Sequence, residues 1–88
     1  MVRGEVTIKN KLGLHARPAA SIVKETGKYK SAVMLERDGM RANAKSIMDI
    51  LIVEANIGSK LTVIADGEDE NEAMEAIIKL IASGFGEE

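Results

Sequence analysis

His15 is the only histidine in the chain, and it stands within Gly13-Leu14-His15-Ala16-Arg17-Pro18-Ala19-Ala20. An imidazole is a nucleophile whose charge change falls close to neutral pH. Pro18 belongs in a first helical turn, where its missing N–H costs nothing. That places His15 at or near a helix N-cap and leaves the backbone N–H groups of Ala16 and Arg17 without helical partners. A helix N-terminus is an anion site. Arg17 adds a planar guanidinium whose fork suits phosphate oxygens. One loop thus holds a nucleophile, backbone donors and a fixed positive charge, which is a kit for carrying phosphate covalently on nitrogen. A lone histidine at a helix start is more often structural, so the local residues leave both readings open. No carboxylate lies nearby in sequence to complete a triad. No second histidine and no cysteine exist to share a zinc ion, so no metal site and no cofactor are expected. One histidine and one arginine do not outline the usual substrate pocket of a self-sufficient enzyme.

A second block, Ala44-Lys45-Ser46-Ile47-Met48-Asp49, contains Ser46 and Asp49 at the spacing of an N-terminal capping box. A capping role alone explains the serine. The alternative is a phosphorylation target: phosphate at a helix N-terminus is electrostatically favoured, although Asp49 opposes it. Ile47, Ile50 and Leu51 share one helical face and are expected mostly in the core. Met48 points away from them, and methionine suits adaptable interfaces.

The elements that must position these residues are set by apolar periodicity. Glu5 to Lys9 alternates as a strand. Ala16, Ala19, Ala20 and Val23 have helical spacing, so a helix runs from Ala16 to about Thr26, with Gly27 as its stop. Ser31 to Glu36 and Met40 to Ala44 read as strands joined through Arg37-Asp38-Gly39, a hairpin signal. Next come a helix from Ser46 to about Val53, a loop at Asn56-Ile57-Gly58-Ser59 and a strand from Leu61 to Ala65. After Gly67, Asp69 to about Ser83 is a helix with Met74, Ile77, Ile78 and Ile81 on one face. Acidic residues fill its first turn, and Asp69 with Glu72 has capping-box spacing. The order β-α-β-β-α-β-α, with amphipathic helices covering one face of a sheet, defines an α+β open-faced two-layer sandwich. Residues 1–88 read as a single domain without repeat or linker.

Composition narrows the function classes. Tyr29 and Phe85 are the only aromatics, which argues against nucleic-acid recognition by base stacking. No uninterrupted apolar run is longer than Ile50 to Val53, far below the roughly 20 residues of a membrane span, so membrane insertion is not expected. With no cysteine and no signal-peptide pattern at residues 1–5, a cytoplasmic protein is expected. Charge is segregated: residues 1–65 carry a balance of +5 and residues 66–88 one of −7. The acidic segment reads as a solvated helix face, leaving basic surface for acidic partners.

Residues 13–20 resemble the active-site signature of the HPr family, the histidine-containing phosphocarriers of the phosphoenolpyruvate-dependent phosphotransferase system. Ala44-Lys45-Ser46-Ile47-Met48 resembles that family's regulatory serine motif, at the matching distance in a chain of matching length. The resemblance implies an antiparallel sheet in the order 1-4-2-3 with three helices on one face. It implies that His15 is phosphorylated on Nδ1 by enzyme I, which draws the group from phosphoenolpyruvate, and passes it to EIIA-type domains for sugar uptake. Arg17 and the Ala16 N–H would steady the phosphoryl oxygens. Ala16, Ala20, Ile47, Met48 and Leu51 would form the partner patch, with Lys24 and Lys45 as a basic rim. Ser46 would be the target of an HPr kinase/phosphorylase; Asp49, where the family often has Gly or a basic residue, is a departure. The carrier is expected to be a monomer and not itself an enzyme. Asn10-Lys11-Leu12-Gly13 and Ser83-Gly84-Phe85 resemble the family's nitrogen-type branch, which serves a regulatory phosphorelay without transport. A further alternative is a binding module that is no longer phosphorylated, but such forms replace the histidine that is present here as His15.

Overall fold

Apolar alternation and helical periodicity produce seven elements in the computed structural model, which describes residues 1–86. They are β1 (Val2–Thr7), α1 (Ala16–Thr26), β2 (Ala32–Arg37), β3 (Met40–Asn43), α2 (Ile47–Val53), β4 (Lys60–Asp66) and α3 (Glu70–Ala82), with a tight turn at Gly84–Gly86 after them. Glu87 and Glu88, the last two residues of the acidic segment, lie outside the described residues.

The sheet is antiparallel in the order β1-β4-β2-β3, as the family resemblance implied. Inward side chains from every strand meet the helices: Val6, Leu61, Val63, Ala65, Val33, Leu35 and Ala42 are all buried. α3 packs over β1 and β4, α2 packs over β3, and α1 packs against both α2 and α3. The opposite face carries Arg3, Glu5, Thr62, Glu36 and Arg41. Arg41 and Glu36 are cross-strand neighbours joined at 2.8 Å, and that hydrogen bond holds the Glu36 carboxyl below its ordinary pKa.

β1 begins at Val2 rather than at Glu5 and ends two residues earlier than its periodicity predicts. The reason is Gly4, which faces inward opposite Val63. A side chain there would press on Met74 and Ile78 of α3, since a Cβ would lie 3.1 Å from the Met74 sulfur. Helix α3 therefore fills the space itself, and the apolar alternation is interrupted where the strand is real. The hairpin signal holds: Asp38 and Gly39 have φ of 51° and 80°, the mirror-image turn that matches strand twist. Gly27, by contrast, closes α1 with a right-handed φ of −63°, so its position does not require glycine.

The capping box expected at Asp69 and Glu72 does not form. Asp69 makes no side-chain cap on its own helix. Its carboxylate instead accepts the N–H groups of Lys30 and Ser31, each at 2.9 Å, and the Ser31 hydroxyl. Glu70 supplies the local contact, accepting the Gly67 N–H at 3.1 Å. Asp69 thus ties the start of α3 to the entry of β2.

These bonds favour the charged form and hold the Asp69 pKa down to about 2, the Ser31 hydroxyl contributing most. The unfolded chain binds a proton at about pH 3.9, so between these values it binds more protons than the native state. The Asp69 contribution to stability is therefore present above about pH 4 and is lost as the pH falls toward 2. Asp69→Asn should lower the urea midpoint at neutral pH and flatten its fall over that acid window. The profile will be flatter rather than level, because Glu36 and Glu70 are also held low.

Candidate functional site

The approach to His15 is built from backbone. Asn10 Nδ2 donates to the Gly13 carbonyl at 2.7 Å, and the Gly13 N–H returns to the Asn10 carbonyl at 3.2 Å. Gly13 has a φ of 67° and lies against the segment after α2: a Cβ there would sit 2.3 Å from the Ala55 carbonyl oxygen. The next residue, Leu14, donates its N–H to that same oxygen at 2.9 Å. Leu14 and Pro18 are buried on either side of His15. The loop is thereby fastened to the end of α2, and His15 is left half-buried between two anchors.

His15 is the N-cap of α1, in an extended conformation with φ of −87° and ψ of −173°. Its carbonyl accepts the Ala19 N–H at 3.0 Å, which is the first helical bond. No side chain caps this terminus, and Pro18 has no N–H to offer. Among the described residues, the N–H groups of Ala16 and Arg17 have no acceptor, and the Arg17 side chain has no ion pair or hydrogen bond. Both residues are exposed. Partial positive charge from the helix end, two open backbone donors and a guanidinium therefore belong to the helix start that His15 caps.

The other expected residues fall along two neighbouring helices. Ala16, Ala20 and Lys24 are exposed at four-residue intervals along α1, whereas Ala19, Ile22 and Thr26 face the core. The buried stripe of α1 is thus rotated from the one that the alanines outline. Ser46 is the N-cap of α2 and accepts the Asp49 N–H at 3.3 Å. The Asp49 carboxylate turns back to the Asn43 N–H at 3.3 Å. Ile47, expected mostly in the core, is exposed with Met48, and Leu51 is half-buried; Ile50 and Val53 form the buried side.

Hydrogen bonds fix the relative direction of the two helices. Thr26 Oγ1, at the end of α1, donates to the Ala44 carbonyl just before α2 at 2.9 Å. The Leu14–Ala55 bond joins the start of α1 to the end of α2. The helices are antiparallel, so Ser46 lies at the far end from His15, on the order of 10 Å away along a seven-residue helix. Lys45 is likewise at the far end, with its Nζ on the Tyr29 carbonyl at 2.9 Å. Lys24, in the last turn of α1, lies on the same side. Ser46 and the two lysines are not brought to the imidazole; they border the α1–α2 surface at its opposite edge.

Exposed aliphatic residues that the sequence reading did not single out include Leu12, Ile52 and Ile57. Leu12 and Ile57 flank the Gly13–Ala55 contact, and Ile52 stands on α2. An exposed large aliphatic residue inside a polar loop was the available signal, visible in Lys11-Leu12-Gly13 and Asn56-Ile57-Gly58. Among the described residues no group of three or more His, Asp or Glu side chains could hold a metal ion. No helix of the described residues is long and apolar enough to cross a membrane.

Known proteins resemble both the sequence and this arrangement. The family model of the HPr component phosphorylation site of the phosphotransferase system matches residues 2–83. The phosphocarrier protein HPr of Cupriavidus necator is 47% identical over 87 residues, 99% of this chain and 98% of that one. The HPr-like protein Crh of Halalkalibacterium halodurans is 47% identical over 81 residues, 92% of this chain and 96% of that one. The crystal structure of HPr from Thermoanaerobacter tengcongensis matches with a TM-score of 0.95 at 45% identity, covering 100% of this chain and 99% of that one. The chain belongs to the HPr family, the phosphocarriers of the phosphotransferase system.

The backbone contact at Gly13 makes a sharp comparison. Gly13→Ala adds a steric collision to the cost of a left-handed alanine, whereas Gly39→Ala at a φ of 80° meets nothing within 4 Å. Urea unfolding should show Gly39→Ala losing about 1 kcal/mol and Gly13→Ala losing more than about 3 kcal/mol.

Proposed function

We propose that His15 carries the phosphoryl group, accepting it on Nδ1 from enzyme I charged by phosphoenolpyruvate and passing it to EIIA-type acceptors during sugar uptake. The observation that supports this reading most is the N-terminus of α1, which has no side-chain cap and whose N-cap residue is His15 itself. In the transfer, the Nδ1 lone pair attacks phosphorus, a P–N bond forms, and the bond from phosphorus to the donor breaks, with its electron pair staying on the donor. The hand-over repeats this with His15 as leaving group. The Ala16 N–H and the Arg17 guanidinium stabilise charge on the phosphoryl oxygens in both directions. Ala16, Ala20, Ile47, Met48 and Leu51 form the surface on which enzyme I and the acceptors dock, with Lys24 and Lys45 at its rim. The protein works as a monomer in the cytoplasm and is regenerated by its partner enzymes.

Ser46 is the proposed regulatory site, phosphorylated by an HPr kinase/phosphorylase. Its distance from His15 implies action on docking rather than on the imidazole. A phosphate there changes the charge at one edge of the α1–α2 surface, while Asp49 works against its addition.

Incubation with phosphoenolpyruvate, magnesium and a cognate enzyme I should add one phosphoryl group by intact mass. The added group should be absent from His15→Ala and should form at least about tenfold more slowly in Arg17→Gln. No gain, or a gain that persists in His15→Ala, sinks the reading. A kinase assay with ATP should give acid-stable phosphate on Ser46, faster in Asp49→Asn; if only acid-labile phosphate forms, Ser46 is a cap alone.

A further inference from the structure

The end of α2 is held by a residue that no part of the phosphoryl-transfer reading uses. Arg37 is the last residue of β2. Its Nε and Nη2 both donate to the carbonyl of Val53, at 3.0 and 2.8 Å. Val53 ends α2 and is 1% exposed, so its carbonyl is one of those that a helix leaves without partners. A guanidinium at this point also meets the negative end of the helix dipole. Arg37 additionally contacts the exposed carboxylate of Asp38 through Nη1 at 3.0 Å.

The clamp matters because of the two residues after Val53. Glu54 turns the chain sharply, with a left-handed φ of 52° and ψ of 41°. One residue later, the Ala55 carbonyl receives the Leu14 N–H at 2.9 Å. It is also the atom against which Gly13 is packed. The path from Arg37 to the imidazole therefore runs through Val53, Ala55 and Leu14, with few intervening covalent bonds and no flexible side chain after the guanidinium.

We propose that Arg37 is a positioning residue for phosphoryl transfer: by gripping the end of α2 it fixes the Ala55 carbonyl on which the loop before His15 is hung. Two parallel donors on one carbonyl restrain its direction, which a single point charge does less well. The inference rests on the reading of His15 as the carrier. It concerns the rate of the chemical step, because the apolar residues of the docking surface nearer the start of α2 are held independently by the Ser46 cap and by Ile50.

The test compares Arg37→Gln, Arg37→Lys and Asp38→Asn with the unmodified protein. Two readouts are taken: hydrogen exchange at the Leu14 amide, and phosphorylation by enzyme I with this protein as the varied substrate. In Arg37→Gln, Leu14 exchange should accelerate by about tenfold, and kcat should fall about fivefold while KM changes by less than about twofold. Arg37→Lys should lie between, and Asp38→Asn should match the unmodified protein. Unchanged Leu14 exchange and kcat in folded Arg37→Gln overturns the proposal. A loss confined to KM, or one reproduced by Asp38→Asn, also overturns it. If Arg37→Gln does not fold, Arg37→Lys decides by the same two readouts. If the unmodified protein takes up no phosphoryl group, the reading of His15 fails, and Leu14 exchange alone decides whether Arg37 positions the loop.

Discussion

A single backbone contact organises the end of this protein that carries His15: the Leu14 N–H on the Ala55 carbonyl, with Gly13 packed flat against the same oxygen. It joins two segments separated by forty residues of sequence, and it sets where α1 begins relative to where α2 ends. Leu14 and Pro18 then seal the loop from both sides. His15 has only the short interval between those anchors, and its extended backbone is that of a helix N-cap residue. Substituting any side chain for hydrogen at Gly13 would separate the two segments.

The antiparallel pairing of α1 and α2 is a product of the same fastening, completed at the other end by Thr26 on the Ala44 carbonyl. Their exposed residues lie between His15 at one end of the pair and Ser46 at the other. α2 has only seven residues, too few to be stable alone. It is held by its serine cap, by Ile50 and Val53 in the core, and by Arg37 at its end. With those restraints in place, the helix keeps Ile47, Met48 and Ile52 out in solvent without collapsing onto them.

What could be read from the sequence was local. Pro18 two residues after Ala16 signalled the start of α1, Asp38-Gly39 the hairpin, and Ser46 with Asp49 the cap of α2; each is decided within a few residues. The place of His15 at the start of α1, with Ala16 and Arg17 as the first helical residues, was legible for the same reason. The misses were decided at long range. Asp69 abandons its own helix because Lys30 and Ser31, in a different element, offer better donors. The Lys45 ammonium meets the Tyr29 carbonyl, sixteen residues away, a contact that local spacing does not announce. Gly4 hides a strand because α3 supplies the missing side-chain volume, and Arg37 matters only once β2 and the end of α2 are adjacent. Periodicity misjudged Ile47 because α2 is too short for all of one stripe to reach the sheet.

Pro18 has a consequence beyond starting a helix. Because it has no N–H, the open end of α1 presents two backbone donors where another residue would present three. The grip on an anion is weaker by one hydrogen bond, and the same residue, being buried, cannot move to compensate. For a carrier, holding too well is as damaging as failing to hold, since a group that sits in a deep well waits there for water. On the reading proposed for His15, the proline keeps the loaded state shallow, and residence time, rather than affinity, is the property it tunes.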